Sequence, residues 1–244
     1  MIFIPHPGES MNTILPLLSS LVSFVLAVFV LNRYRVRKGT HSLLWGIGSI
    51  FYGIGGFCEF YNGAFGWNPL IFRLWYLFGA ILVAAWLGQG TVYLLAKPRW
   101  ANALLIVLLL GSLFAVFKVF TAQLDPSLMA GGGHTGSELS GKAIVTDGVR
   151  VLTPFFNLYG TVTLVGGAGY SAYIFWRKRI LLHRAVGNIL IAVGATLPAF
   201  GGFFSRLQIP GALYIGEFLG IILLFLGFLR ATTEMSEPVP APTS

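Results

Sequence analysis

Residues Gly55–Tyr76 read GGFCEFYNGAFGWNPLIFRLWY, with a single acid, Glu59, and a single base, Arg73, in otherwise apolar sequence. The stretch joins two apolar runs, roughly 41–63 and 69–96. Each is long enough to cross a bilayer, which takes about 20 mostly apolar residues. The same criterion applied to the whole chain gives seven spans: 11–32, 41–63, 69–96, 100–120, 149–176, 183–205 and 211–230. The expected fold is all-α, a polytopic membrane bundle of seven transmembrane helices.

Composition agrees. The 244 residues are 56% hydrophobic and 10% charged, with a mean hydropathy of +0.79, whereas soluble domains carry about 25% charged residues. A chain so poor in charge cannot furnish a water-facing surface, so lipid is its natural solvent. The net charge of +8 does not point to nucleic acid, because the basic residues fall in short gaps between apolar runs. Eleven of the 16 Lys and Arg lie there or at the last span's end: Arg33, Arg35, Arg37, Lys38, Lys97, Arg99, Arg177, Lys178, Arg179, Arg184 and Arg230. No acid shares those gaps. By the positive-inside rule they are cytoplasmic, which puts the N-terminus outside and the C-terminus inside, and anionic lipid headgroups become their partner. Trp45, Trp100 and Trp176 near inner ends and Trp67 at an outer turn fit interfacial belts. The N-terminal MIFIPHPGES lacks the basic region of a cleavable signal, so the first span is expected to stay as an anchor. The inner or plasma membrane is the expected location.

Residues 1–10 then form an external segment, 11–230 the membrane domain and 231–244 a disordered cytoplasmic tail. The loop 121–148, rich in Gly and Ser, is expected outside, either disordered or as a lid. Internal symmetry is also suggested. Gly55, Gly56, Phe57, Pro69 and Gly79 are echoed by Gly201, Gly202, Phe203, Pro210 and Gly220, and Pro16 by Pro154. That pattern implies a 3+1+3 parallel repeat with the fourth span as link and a site between the halves.

Intramembrane ionisable residues are functional candidates by default. Glu59, Arg73 and Glu217 fall at similar depth near the outer side, where a short carboxylate cannot snorkel far. One reading makes them the charged floor of an outward-facing pocket for a small molecule or proton, walled by Tyr61, Trp75, Tyr76 and Tyr214. The other makes them a structural ion pair between spans. Arg206 and Arg150 sit close enough to the edge to reach water, and Asp147 lies with Arg150 at the external start of the fifth span. Gln89, Asn157 and Tyr159 are expected to make interhelical hydrogen bonds, and Gly111 with Ala115 and Gly216 with Gly220 to allow close helix packing.

In span count and direction the chain resembles microbial rhodopsins, which hold retinal on a lysine of the seventh helix. The seventh span here, ALYIGEFLGIILLFLGFLR, has no lysine. It also resembles the sugar transporters built from two triple-helix bundles. Pro16, Pro154 and Pro198 fit that pattern, but a proline in the second span and a Pro-Gln pair are missing. No cofactor is expected: His41 and His183 lie at wet helix starts rather than in a haem pocket, and His6 and His134 lie in external segments. Cys58 is the sole cysteine, and no hydrolase motif or paired intramembrane aspartates are present. Three functions remain: a small-solute or proton-linked transporter, a receptor-like sensor acting through a partner chain, and an accessory subunit of a membrane complex.

Overall fold

The protein is described by a computed structural model covering residues 7–130, 139, 141–179, 181–207, 209 and 211–232. The segment through residue 6, His134 in the long loop, Pro210, the side chain of Arg206 and the tail beyond 232 lie outside the described residues. Among the described residues seven helices are long and apolar enough to cross a membrane. They are α1 (Pro7–Arg37), α2 (Thr40–Phe65), α3 (Pro69–Leu95), α4 (Pro98–Thr121), α5 (Val149–Arg177), α6 (Leu182–Arg206) and α7 (Ala212–Thr232). Mean hydropathy over their most apolar windows runs from 1.2 in α5 to 2.6 in α1 and α4. The chain is therefore a multi-pass membrane protein in composition and architecture.

Most helix ends fall within two residues of the apolar runs. The exception is α1, which continues through Arg33, Arg35 and Arg37 and stops at Lys38, whose φ is 53°. Long basic side chains let the helix proceed, because they carry their charge to water while the stem stays on the apolar surface. The turn between α2 and α3 has a local cause. Gly66 at φ 80° ends α2, and Pro69 opens α3. The Asn68 side chain accepts from the N–H groups of Leu70 and Ile71 at 3.1 and 3.0 Å, which satisfies donors that a helix start leaves bare.

Six helices form a ring in the order α1, α2, α3, α5, α6, α7, closed by α7 against α1. Phe29 and Phe225 meet at that closure with ring centroids 5.5 Å apart. Helix α4 stands outside the ring against α3 and α5. One side is wholly apolar and exposed, including Leu110, Leu113 and Phe117, as a lipid-facing surface should be.

Lipid tails are as apolar as leucine, so burial alone does not hold such helices together; close packing and hydrogen bonds do. Glycine supplies the first. On α6, Gly187, Gly194 and Gly201 recur every seven residues and lie on the backbone of α7. A Cβ at Gly194 would stand 2.7 Å from the Gly220 carbonyl oxygen, and one at Gly201 would stand 2.6 Å from that of Ala212. Helices α2 and α3 touch at Gly55 and Gly79, and α3 and α5 at Gly88 and Gly160. Serine supplies the second between α1 and α2: Ser20 Oγ donates to the Gly53 carbonyl at 2.8 Å and Ser23 Oγ to that of Ser49 at 2.7 Å.

The two ends of the bundle differ. One, the basic end, carries Arg33–Lys38, Lys97, Arg99 and Arg177–Arg184. The other, the loop end, carries the 66–68 turn and the 122–148 connection. Described parts of that connection are packed. Leu124 and Ile144 form an antiparallel bridge, and Leu139, Ala143 and Ile144 are buried in one cluster with Phe72, Trp75 and Tyr76.

Candidate functional site

Among the described residues two helices depart from regular α winding, both beside the ring's interior. Trp75–Leu82 of α3 and Thr161–Gly166 of α5 are wound in wider i to i+5 turns, a form that recurs at functional sites. Ala80, within the first, turns its carbonyl to the Asn157 Nδ2 amide at 2.9 Å.

Between these segments and helices α2, α6 and α7 lies a cavity of about 470 Å³. That volume is within the range of small-molecule sites, about 300–1,000 Å³. Small residues make the room, among them Gly56, Ala84, Ala195, Ala199 and Gly202. Its floor towards the basic end is Leu87, Leu164, Leu224 and Tyr52, the residues that also border a void of only about 20 Å³ below it. Under that floor Leu26, Val30, Ile191, Ile221 and Phe228 pack in one cluster around the small void. The Trp45 indole N–H borders the small void and is buried without a hydrogen-bond partner.

The two acids meet in the cavity. Glu59 lies six residues before the end of α2 and Glu217 five after the start of α7, which at 1.5 Å per residue places both about 8–9 Å inside the loop end. Glu59 is 1% exposed. Its Oε1 accepts from Trp75 Nε1 at 2.9 Å, while Oε2 is buried and receives no N–H or hydroxyl donor. The Glu217 carboxyl is within hydrogen-bonding reach of the Glu59 carboxyl. Two carboxyls hydrogen-bond only through a proton carried by one of them. Tyr52 fixes the far side by donating its hydroxyl to the Glu217 backbone carbonyl at 2.7 Å.

Of the residues singled out in the sequence, Glu59, Trp75 and Glu217 line the cavity. Arg73 does not join them. Its side chain turns to the end of α4, where Nε donates to the Val119 carbonyl at 3.3 Å and Nη2 to that of Ala122 at 2.9 Å. Those are carbonyls that a helix C-terminus leaves unbonded and that carry partial negative charge. Tyr76 lies behind the wall, buried against Phe72, with its hydroxyl accepting from Thr153 Oγ1 at 3.0 Å. Tyr61 pairs with Phe65 at 5.0 Å between centroids, and Tyr214 is buried outside the cavity. Tyr52, Thr153, Asn157 and Thr161 are polar lining residues that were not singled out for the pocket. Asn157 was expected only as packing glue, and Tyr52 carries no sequence signal apart from lying seven residues, two helical turns, before Glu59.

Gln89 is fully buried outside this cavity, donating Nε2 to the Ala101 carbonyl at 2.8 Å and accepting from the Tyr159 hydroxyl. Among the described residues no three His, Cys, Asp or Glu side chains gather where a metal ion could be held. The chain matches no protein-family model, no curated protein and no solved structure.

Proposed function

We propose that this protein is a proton-linked transporter of a small solute in the cell membrane, and that Glu59 and Glu217 carry the transported proton between them. The observation that carries this reading is a molecule-sized cavity in which the acids, among the described residues, are two carboxyls within hydrogen-bonding reach, stopped on one side by a thin apolar floor. Like charges in contact in a low-dielectric site oppose joint ionisation, so the pair is built to hold one proton that a solute or a second conformation can release. Leu87, Leu164 and Leu224 then act as the gate. The orphaned Trp45 N–H beneath it marks a place that another arrangement would satisfy, since buried donors are seldom left unpaired.

The positive-inside rule assigns the basic end to the cytoplasm, so the cavity lies in the outer half of the bundle and the basic clusters meet anionic headgroups. The 3+1+3 repeat belongs to the same proposal. In its favour, α4 lies outside the ring and both helix pairs cross on glycines, although Gly201 meets Gly216, one turn from the Gly220 that the echo pairs with Gly79. The test is solute-driven proton movement in liposomes of known orientation, read by an internal pH dye. Transport abolished in Glu217→Gln with its fold retained supports the reading. Proton flux in neither direction with any solute, in protein that still binds ligand, sinks it. A receptor-like sensor acting through a partner chain is the second reading, favoured by the apolar cluster below the leucine floor, where the remaining void is only about 20 Å³.

A further inference from the structure

The cavity's chemistry, its walls and its opening narrow the ligand class. Among the described residues, the charged side chains lining it are Glu59 and Glu217, and no Lys, Arg or His lines it. The Tyr52 phenol is the remaining ionisable group on the wall, and Cys58 is buried behind Glu59 on α2. Arg73, the nearest base in sequence to Glu59, is engaged with α4. Glu59 Oε2 is fully buried and receives no donor N–H or hydroxyl. A cation next to the pair would complete it. The Trp75 ring on the same wall adds a face that attracts organic cations, and the remaining walls are apolar apart from Thr153, Asn157 and Thr161.

The opening is lateral. Helix α5 packs on α6 along Gly167–Arg177 and its wide turn, but its loop-end half, Val149–Gly160, scarcely touches α6. Thr161, Ala199 and Phe203 line the cavity and are exposed in that gap. The rim around them is apolar and exposed: Phe155, Leu158 and Phe200 are 58–67% accessible. In a bilayer that rim faces acyl chains rather than water. The α3 side of the loop end is covered by Leu139, Ala143 and Ile144.

We infer that the cavity takes a lipophilic organic monocation, which enters from the membrane through the gap between α5 and α6 and displaces the proton shared by Glu59 and Glu217. This rests on the transport reading for its purpose but not for its test. Charge balances: one cation is bound and one proton leaves, so the site keeps its net charge.

The experiment uses the full chain in detergent with tetraphenylphosphonium as cation and triphenylphosphine oxide as its uncharged match. Binding is followed by tryptophan fluorescence, and proton release by a dye in weak buffer. The expected result is cation binding with about one proton released per cation, at least tenfold tighter than the oxide. Glu59→Gln or Glu217→Gln should lose at least tenfold in cation affinity and release no proton, while leaving oxide binding unchanged. In vesicles, Ala199→Trp should slow cation uptake by the protein by at least tenfold. Equal binding of oxide and cation, cation binding without proton release, no binding of the cation, or an unchanged rate in Ala199→Trp each overturns the inference. Cation binding with proton release but no flux in liposomes keeps the ligand class and overturns the transporter reading instead.

Discussion

Arg73 offers a direct test of how charge is used in this bundle. Its guanidinium donates to the carbonyls of Val119 and Ala122 at 3.3 and 2.9 Å, tying the start of α3 to the end of α4. Hydrogen bonds to a charged partner contribute about 1.5–3 kcal/mol when well buried. Arg73 is half-buried, so water reclaims part of that when the side chain is removed. Arg73→Met keeps the apolar stem and deletes both bonds, for a loss of about 2–4 kcal/mol in total. A lysine is a point donor without the planar fork, so Arg73→Lys retains one bond and about half of the stability. For a chain of this size 1 kcal/mol moves the melting midpoint by about 2–4 °C, so Arg73→Met should melt about 4–16 °C lower and Arg73→Lys should fall between it and wild type. Thermal unfolding in detergent gives the midpoints, and tetraphenylphosphonium titration of the folded variants gives the affinity, which should stay within twofold. An unchanged midpoint together with lost cation binding would refute the reasoning, because Arg73 would then serve the cavity and not the end of α4.

Glu217→Gln supplies Glu59 with an amide donor in place of a proton, and its stability should lie within about 1 kcal/mol of wild type, whereas Glu217→Leu leaves the Glu59 carboxyl short of a partner and costs about 1–3 kcal/mol; midpoints of the two variants side by side decide it. Gln89→Leu and Tyr159→Phe should each cost about 1–3 kcal/mol by orphaning the other's polar group, and the double variant less than their sum; additive losses in the double-mutant cycle would mean that the two side chains are not coupled. Gly194→Leu drives a side chain into the backbone of α7 and should leave no folded monomer by size-exclusion chromatography. Gly169, where a Cβ meets nothing within 4 Å, should accept alanine with a midpoint equal to wild type or above it by up to about 1 kcal/mol in stability.

The seven helices were legible because span length is a one-dimensional property: any 20-residue apolar run registers regardless of what it packs on. The acids at Glu59 and Glu217 were legible for a related reason, since an ionisable group in such a run must find a partner or a function. The destination of Arg73 was not. Sequence depth put it level with Glu59, but depth leaves rotation about the helix axis open, and the wide turn that follows at Trp75–Leu82 alters the phase of α3 beyond it. The same wide turn carries Trp75, which does reach Glu59, and precedes Gly88, which docks on α5. Tyr52 was missed because an aromatic in a membrane helix is ordinary in composition; only the contact of its hydroxyl with α7 distinguishes it.

Glycine has two opposite effects here, and their separation explains why a cavity exists in a bundle held by close packing. At Gly194 on α6 and Gly220 on α7 the backbones touch, and a methyl group at either would collide. At Gly202, the residue after the last heptad glycine and about 100° round the helix from it, a Cβ would have nothing nearer than 3.9 Å, and that residue lines the cavity. The heptad of glycines pins α6 to α7 along most of its length. The exposed residues near the loop end then face α5 without touching it. Small residues on the pinned face draw helices together, and on the free face they leave room. Gly202→Leu should therefore fill the cavity without loosening α6 from α7. Its melting midpoint should equal or exceed that of wild type, while tetraphenylphosphonium affinity falls at least tenfold. A lowered midpoint with intact cation binding would place Gly202 in the packing seam and remove the argument that the gap between α5 and α6 leads to the carboxyl pair.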